Sequence, residues 1–452
     1  MNLESKSLAE LHQLAGEADI QGYRSLRRED LIKQLSSAGD DAAGRSGGGG
    51  EEQGSSSSRS RRRRGRGRSR RGGSGEDRQG DGARGDGRSD RNGADQGDGK
   101  SGSEPELEEA TGILEVLPRG SGLVKAEGLP EAGIHVSPAQ IKRCQLRAGD
   151  EVQGPVRPAR RGERRPSLVR IEMVNGSPPE DDRAPAFEKL TPVAPHRHIP
   201  LKAETDDLLA RSVDLLAPLA FGQRVLVEAE PRSGRTSFLR SLARSIAGGS
   251  EGGPKVTVLL IDERPEEVTA WGREVGGAEI AAAPADLGSH EQVRVAERAL
   301  AKVKRQAEAG DDVVIIVDSL TRLGSAYGEA GAVKPFFGTG RELEEEGAGS
   351  VTVIATALRG APGDQDVMDA VHTTENATIR LDAGLAAAGI VPSLDVAACA
   401  ISGQEAVLNE NEIDAVRRLR AELKDMESVA AAARLAELIK GSETNEELLG
   451  KL

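Results

Sequence analysis

Mostly apolar, strand-like runs recur through the second half of the chain and alternate with longer amphipathic stretches. The runs fall at residues 225–228, 256–262, 313–318, 351–357 and 378–381, and helical periodicity spans residues 291–307. Runs that are apolar on both faces are typical of buried strands, and their alternation with helices predicts a parallel sheet covered on both sides. From residue 411 onward, a composition rich in Ala, Leu, Glu and Arg predicts further helices. We therefore assign residues 201–452 to one α/β domain.

A different pattern precedes this domain. Short alternating runs at residues 112–117, 133–136, 151–156 and 167–174 are separated by Gly and Pro. That spacing predicts a small β-barrel over residues 109–177. A Pro-rich stretch, residues 178–200, would connect the barrel to the α/β domain.

The first hundred residues divide into two parts. Ser7 and Glu10 have the spacing of a capping box, and leucines at helical spacing predict a small helical domain over residues 1–38. Residues 39–108 consist largely of Gly, Ser, Arg, Asp and Glu. Because this composition offers almost nothing to bury, we expect a disordered linker.

Charge changes this picture in one place. The formal net charge is −13, yet nine arginines and no acid fall between residues 59 and 71. Such a run can neutralise phosphates and favours nucleic-acid contact, although a solvated linker without a partner is the alternative. Two cysteines without a C-x-x-C pair argue against a disulfide framework and a structural zinc site. With no apolar run long enough for a membrane span, we expect a cytoplasmic protein that does not associate with membranes.

A candidate phosphate-binding loop follows the first strand of the α/β domain. Residues 229–236 read AEPRSGRT and lead into an apolar-periodic helix. Strand, tight loop and helix N-terminus together form an arrangement that holds phosphates. Against the pattern G-x-x-x-x-G-K-[ST], Ala229 replaces the first Gly and Arg235 replaces the Lys.

Two acids support this interpretation. Glu263 and Asp318 lie at the ends of later predicted strands. Because carboxyl ends of parallel strands share one edge, both acids are expected beside the loop, where a Mg²⁺ ligand or a water-activating base is needed. The alternative is that each acid only caps a helix.

Several segments then resemble one family, the bacterial transcription termination factor Rho. Residues 260–269 (LIDERPEEVT) and 317–323 (VDSLTRL) look like its two signature segments, and 192–201, 336–338 and 354–358 have similar sequence. Residues 112–118, 136–143 and 146–150 resemble its cold-shock-like RNA-binding barrel, and residues 4–36 resemble its N-terminal helical domain. The Arg- and Gly-rich insertion is similar to that of actinobacterial members.

The resemblance implies a RecA-like ATPase domain, a cold-shock-like or OB-like barrel, and ATP and Mg²⁺ as cofactors. It implies a homohexamer that binds nascent single-stranded RNA, translocates along it by ATP hydrolysis and releases it from RNA polymerase. Thr236 and Asp318 would bind Mg²⁺, and Glu263 would orient the attacking water. Arg264 would contact the nucleotide, and Arg235 takes the position of the catalytic Lys. The other residues implied to line the ATP site are Ala220, Phe221, Gly222, Gln223, Arg224, Val225, Arg232, Ser233, Gly234 and Ser237.

The α/β domain departs from the family pattern at cationic positions. Arg235 presents a planar fork in place of a compact ammonium. Residues 382–389, where the family has an arginine finger, contain no arginine. Such a finger is worth about 10³- to 10⁵-fold in rate, so we expect nucleotide binding with slow hydrolysis. The segment between Tyr327 and Phe336 is shorter than in the family, and residues 359–376 contain no Lys.

The barrel has also lost the aromatic positions of the family. Residues 120–123 read GSGL, His135 stands at an aromatic position, and Arg165-Pro166 replaces a Tyr-Phe pair. Stacking contributes about 1–3 kcal/mol per base, so RNA would be held mainly by charge and with weak base preference. The RNA-binding candidates are Lys125, His135, Arg160, Arg161, Arg164 and Arg165.

These departures leave two functions open. One is a Rho-like termination factor, an RNA-dependent ATPase and helicase. The other is a catalytically impaired paralogue that binds RNA and nucleotide as a regulator without translocation. A rotary-ATPase subunit that shares only the core fold is disfavoured by the barrel and by residues 262–269.

Overall fold

The computed structural model describes residues 107–452, except 127, 130–131, 180–182, 203–206, 249–252 and 361–362, and of the preceding chain only Leu14, Leu35 and Ser36. The predicted N-terminal domain and arginine-rich linker therefore lie almost entirely outside the described residues. Within residues 99–452 the barrel and the α/β domain belong to one compact unit.

The barrel forms because inward and outward side chains alternate along its strands. Its elements are β1 (Glu108–Val116), β2 (Gly122–Lys125), β3 (Ile134–Val136), helix α1 (Pro138–Arg143), β4 (Glu151–Arg157), β5 (Ser167–Leu168) and β6 (Met173–Val174). The strand order is β1-β2-β3-β5-β4, and an antiparallel β1–β4 pairing closes the barrel. Leu114, Val124 and Ile134 are buried at its centre. Ser137 and Gln140 form a capping box that starts α1.

The α/β domain is built on a sheet with the order β10-β9-β11-β13-β8-β14-β15, in which all pairings but the last are parallel. A short β7 (Pro192–Val193) and β12 (Arg341–Leu343) add antiparallel pairings beside β13. The other strands are β8 (Arg224–Ala229), β9 (Lys255–Ile261), β10 (Ala278–Ala283), β11 (Asp312–Asp318), β13 (Ser350–Leu358), β14 (Ala377–Leu381) and β15 (Ala400–Ile401).

Helices cover both faces of this sheet and bury separate apolar cores. They are α2 (Leu208–Leu216), α3 (Arg235–Ala247), α4 (Pro265–Glu274), α5 (Ser289–Glu308), α6 (Leu320–Tyr327), α7 (Lys334–Phe337), α8 (Asp364–Val371), α9 (Ala383–Ala387), α10 (Glu410–Leu423), α11 (Ser428–Lys440) and α12 (Asn445–Lys451). Leu239 and Leu242 of α3 pack on one face, and Val295 and Val303 of α5 pack on the other. The predicted doubly covered parallel sheet is confirmed.

Three local predictions are corrected by the structure. The run at residues 167–174 is two short strands, because the intervening chain turns outward and leaves Val169 exposed. Strand β2 was missed because only four residues form it. Strand β10 was missed because its sequence, AEIAAA, has weak β-propensity and lies half-exposed at the sheet edge.

Ion pairs dock the barrel on helix α5. Arg294 binds Glu115 at 2.7 Å, and Arg147 binds Glu308 at 2.7 Å. Gly149 approaches so closely that a Cβ there would lie 2.4 Å from the Ala301 carbonyl oxygen. Among the described residues, no helix combines the length and apolarity that a membrane span requires.

Candidate nucleotide site and RNA-binding cleft

The loop between β8 and α3 has the conformation of a phosphate-binding loop. Gly234, the N-cap of α3, has a left-handed φ of 78° with open space around it, and Arg232 has a φ of 68°. The Phe238 N–H donates to the Gly234 carbonyl, as in a regular first turn. The N–H groups that precede Phe238 in α3 have no intrahelical acceptor and are available to an anion.

The two predicted acids meet beside this loop. Asp318 ends β11, and Glu263 follows β9 by two residues. Since β9, β11, β13 and β8 are consecutive parallel strands, their carboxyl ends form one edge of the sheet. Asp318 is fully buried and Glu263 is 5% exposed. The sequence-based prediction that these acids converge agrees with the structure.

Arg235 joins the two acids. Its Nη2 lies 2.8 Å from Glu263 Oε1, and its Nε lies 3.1 Å from Asp318 Oδ1. Arg322, one turn into α6, contacts the same oxygen of Glu263. Two guanidinium groups therefore neutralise the carboxylate that the resemblance assigns to water activation. Because Arg322 follows Asp318 by only four residues in the sequence, its contact with this group could have been predicted.

The surroundings of Asp318 fit a hydrated cation. The Thr356 hydroxyl donates to Oδ1 at 3.1 Å, whereas Oδ2 is buried without a hydrogen-bond partner among the described residues. Burial raises the pKa of Asp318 above its ordinary value, and Arg235 opposes that shift. Thr236 lies in the first turn of α3, next to Arg235. Mg²⁺ is commonly bound by one or two carboxylates with phosphates and water, so one orphan carboxylate oxygen and a hydroxyl suit it. No cluster of three or more His, Cys, Asp or Glu suited to a metal occurs in the described part of the chain.

One group of predicted nucleotide residues lies elsewhere. Residues 220–225 precede or begin β8, so the length of the strand, about 16 Å, separates them from the phosphate loop of their own chain. They serve the fold there: the Gln223 carboxamide accepts from the Ala220 N–H at 3.0 Å, and Arg224 Nη1 donates to the Gly340 carbonyl at 2.6 Å. Because a strand carries its two ends to opposite edges of the sheet, the structure does not bring these six residues to the phosphate loop of their own chain. Their assignment to the ATP site stays a prediction; they are Ala220, Phe221, Gly222, Gln223, Arg224 and Val225.

Most of the predicted RNA-binding residues line one cleft of the barrel. The cleft has a volume of about 720 Å³, and its lining includes His135, Arg160, Arg164 and Arg165. Arg143 and Arg157, which were not among the predicted RNA contacts, also line it, whereas no Phe, Tyr or Trp does.

One acid, Glu163, lies among the residues that line this cleft and offsets part of their positive charge. Glu163 accepts from Arg157 at 2.6 and 2.9 Å and from the Arg160 N–H at 3.0 Å. The pKa of Glu163 is lowered to about 2, chiefly by Arg157. Five arginines therefore line the cleft together with one carboxylate, which is ionised at neutral pH.

Two predicted RNA contacts are not part of the cleft lining. Lys125 lies 3.7 Å from Glu291 of α5, where the barrel docks on the α/β domain. Strand β2 thus directs the charge of Lys125 toward a carboxylate of the other domain, and its contact with RNA stays a prediction. Arg161 is exposed in the turn after β4 and outside the lining.

Comparison with known proteins decides the family. Residues 110–180 match the model of the Rho termination factor RNA-binding domain, and residues 2–39 match that of the Rho termination factor N-terminal domain. A protein named transcription termination factor Rho from Pseudomonas fluorescens is 37% identical over 365 residues, which cover 74% of this chain and 86% of the relative. The chain belongs to the Rho family.

Further comparisons extend this result. The Rho of Aquifex aeolicus is 36% identical over 75% of this chain and 83% of its own, and that of Streptomyces lividans is 35% identical over 76% and 53%. Residues 210–335 match the nucleotide-binding domain of the ATP synthase alpha/beta family. The Rho-type barrel separates this chain from rotary-ATPase subunits, as the sequence predicted. The predicted Rho-like termination factor with RNA-binding and RecA-like ATPase domains is confirmed.

Proposed function

We propose that this Rho-family chain binds nascent single-stranded RNA and hydrolyses ATP to translocate and release that RNA from RNA polymerase. It would act in the cytoplasm as a homohexamer. The convergence of Arg235, Glu263 and Asp318 beside the phosphate loop carries the proposal most directly. The arginine-lined cleft of the barrel, in the same compact unit, supports the proposed RNA binding.

In the proposed nucleotide site, phosphates would compete for Arg235. The β and γ phosphates carry more negative charge than one carboxylate and would sit among the free N–H groups at the start of α3, so they attract the guanidinium away from the acids. Glu263 would then lose one of its two arginine partners and accept a hydrogen bond from the attacking water. Arg264, beside Glu263, would contact the nucleotide. Mg²⁺, bound by Asp318 and Thr236, would supply charge neutralisation at the phosphates.

RNA would bind the cleft chiefly through its phosphates. Charged contacts to phosphate carry no base information, and the lining offers no aromatic ring for stacking. Glu163 is held by Arg157, so its carboxylate is not free to read a base. We therefore propose weak base preference and strong salt dependence, with residues 59–71 as an additional contact.

The deciding experiment is ATP hydrolysis by the purified full-length chain with and without single-stranded RNA. We expect slow hydrolysis that RNA stimulates and that Asp318→Asn removes. Asp311→Asn is the matched control, because Asp311 immediately precedes the opposite end of β11 and pairs with Lys255. Hydrolysis that is insensitive to Asp318→Asn would contradict the site, and tight nucleotide binding without hydrolysis would contradict the enzymatic proposal.

RNA binding is tested separately by fluorescence anisotropy with pyrimidine-rich and purine-rich oligonucleotides over a series of salt concentrations. Similar affinities for both and a steep salt slope are expected. A chain lacking residues 55–75 should show weaker binding and a shallower slope. Unchanged affinity and slope in that variant would exclude the arginine run as a contact.

A further inference from the structure

The segment that follows β14 returns to the phosphate loop of its own chain. The Asp382 N–H donates to the Ser393 carbonyl at 3.0 Å, and the Asp395 N–H donates to the Arg380 carbonyl at 2.9 Å. These bonds close residues 382–393 into a loop at the carboxyl end of β14. Since β14 is the parallel neighbour of β8, the closed loop lies beside the phosphate loop that β8 leads into.

Two hydrogen bonds attach this closed loop to the phosphate loop. The Ser393 hydroxyl donates to the Ser233 carbonyl at 2.5 Å, and the Ala383 N–H donates to the Glu230 carboxylate at 3.2 Å. Ser393 and Ser233 are 7% and 1% exposed, so water competes little for their bond. Just before the closed loop, Arg380 of β14 pairs with the buried Glu228 of β8 at 2.7 Å. The attachment is therefore specific and shielded.

The bond to Ser233 fixes the direction of a neighbouring donor. In a trans peptide the carbonyl and the following N–H point in opposite directions. A hydroxyl that holds the Ser233 carbonyl therefore directs the Gly234 N–H away from Ser393. Gly234 has no side chain and a left-handed φ of 78°, so its own conformational preference constrains this peptide weakly. An anion-binding loop requires its N–H groups to converge on the ligand.

We propose that Ser393 is a positioning residue that orients the Gly234 N–H toward the β-phosphate of a bound nucleotide. This inference rests on the proposed nucleotide function and adds a residue 160 positions away from the loop that it serves. The orientation of this N–H should affect the binding of the β-phosphate and not that of the α-phosphate. Ser393 thus contributes to the discrimination of ATP and ADP from AMP.

The test compares ATP, ADP and AMP affinities of the full-length chain and of Ser393→Ala, with AMP measured by competition. We expect ATP and ADP binding to weaken about five- to tenfold, the scale of one neutral hydrogen bond, and AMP binding to change less than about twofold. Ser393→Thr retains the hydroxyl and should restore ADP affinity. Ser402→Ala is the matched control, because this exposed serine lies beyond the closed loop.

Equal weakening of AMP and ADP, or unchanged ADP affinity in Ser393→Ala, would overturn the inference while leaving nucleotide binding itself intact. If Ser393→Ala lowers the thermal midpoint, Ser393→Cys provides the second measurement, since it nearly keeps the side-chain volume but replaces the hydroxyl by a weak donor. A smaller but still ADP-selective loss supports the inference, and no selective loss overturns it. An unsubstituted chain that binds none of the three nucleotides would overturn both this inference and the proposed ATP site.

Discussion

The sheet edge that carries Arg235, Glu263 and Asp318 is called here the nucleotide edge. It and the barrel cleft both pair arginines with carboxylates, but the two regions differ in exposure to water. At the nucleotide edge, the side chains of Arg235 and Asp318 are 15% and 0% exposed. In the cleft, those of Arg157 and Glu163 are 26% and 37% exposed. Charges interact several times more strongly at low effective dielectric than in water, so the two regions respond differently to substitution. A single substitution at the nucleotide edge should change the rate of hydrolysis strongly, whereas each arginine of the cleft should contribute only a small part of the RNA affinity.

The two regions also differ in how many charged partners each carboxylate has. Glu263 pairs with two guanidinium groups, those of Arg235 and Arg322, which lie on different helices. Asp318 pairs with Arg235 alone among these two. Losing a partner there leaves a buried charge uncompensated, which costs far more than the pair contributes. The exposed cleft pair is screened by salt, and such pairs contribute little on their own. The largest effects should therefore come from single substitutions at the nucleotide edge.

Removing the carboxylate of Glu263, which we propose activates the attacking water, should have the largest effect. Glu263→Gln is expected to lower the RNA-stimulated hydrolysis rate by about 10²-fold or more, the scale of general-base catalysis, while ATP affinity changes little. Steady-state hydrolysis and equilibrium binding measure the two quantities. Glu266→Gln, an exposed acid in α4, is the control and should retain full activity. Retained hydrolysis in Glu263→Gln would assign the base elsewhere.

Asp318→Asn should abolish the Mg²⁺-dependent part of nucleotide binding, a change of about tenfold given that such sites use one or two carboxylates.

Because burial raises the pKa of Asp318, its ionised form is disfavoured by folding. The stability that this group contributes is present below its unfolded pKa and is lost as pH rises through the folded pKa. Asp318→Asn should therefore gain thermal stability relative to the unsubstituted chain as pH is raised. A difference that shrinks at alkaline pH would contradict this sign.

The cleft is tested by combined substitution. Replacing Arg160, Arg164 and Arg165 by Ala should lower the salt slope of RNA binding by about 2, since each phosphate contact to a single strand contributes about 0.7. At low salt, affinity should fall about tenfold, and each single substitution should cost only two- to threefold. Arg417→Ala with Arg418→Ala, two exposed arginines of α10, is the control and should leave both quantities unchanged. One dominant arginine would instead indicate a specific contact.

Arg235→Lys should have the smallest effect. The ammonium is compact and cannot contact both acids as a fork does, so Asp318 or Glu263 loses one pairing. The rate of hydrolysis should nevertheless change less than about tenfold, because the absent arginine in residues 382–389 is the greater deficit by the scale of arginine fingers. Hydrolysis assays of both proteins measure this. A recovery of several hundredfold would show that Arg235 alone limits turnover.

Local pattern anticipated much of the fold. Each of the five predicted α/β strands is observed within about one residue of its predicted ends, since a buried strand requires a continuous apolar run. The meeting of Glu263 and Asp318 followed from the same reasoning, because parallel strands place their carboxyl ends together. The barrel was harder, since strands of two to four residues are too short to show periodicity.

The sequence by itself determined the domain order, the phosphate loop, the strand-end acids and the family, because each depends on residues close together in the chain or on whole motifs. Only the tertiary structure decided that Lys125 pairs with Glu291 and that residues 220–225 lie at the far end of β8. It also decided that Ser393 holds the carbonyl of Ser233. Contacts of this kind depend on how distant side chains pack against one another, and no local period or spacing encodes them.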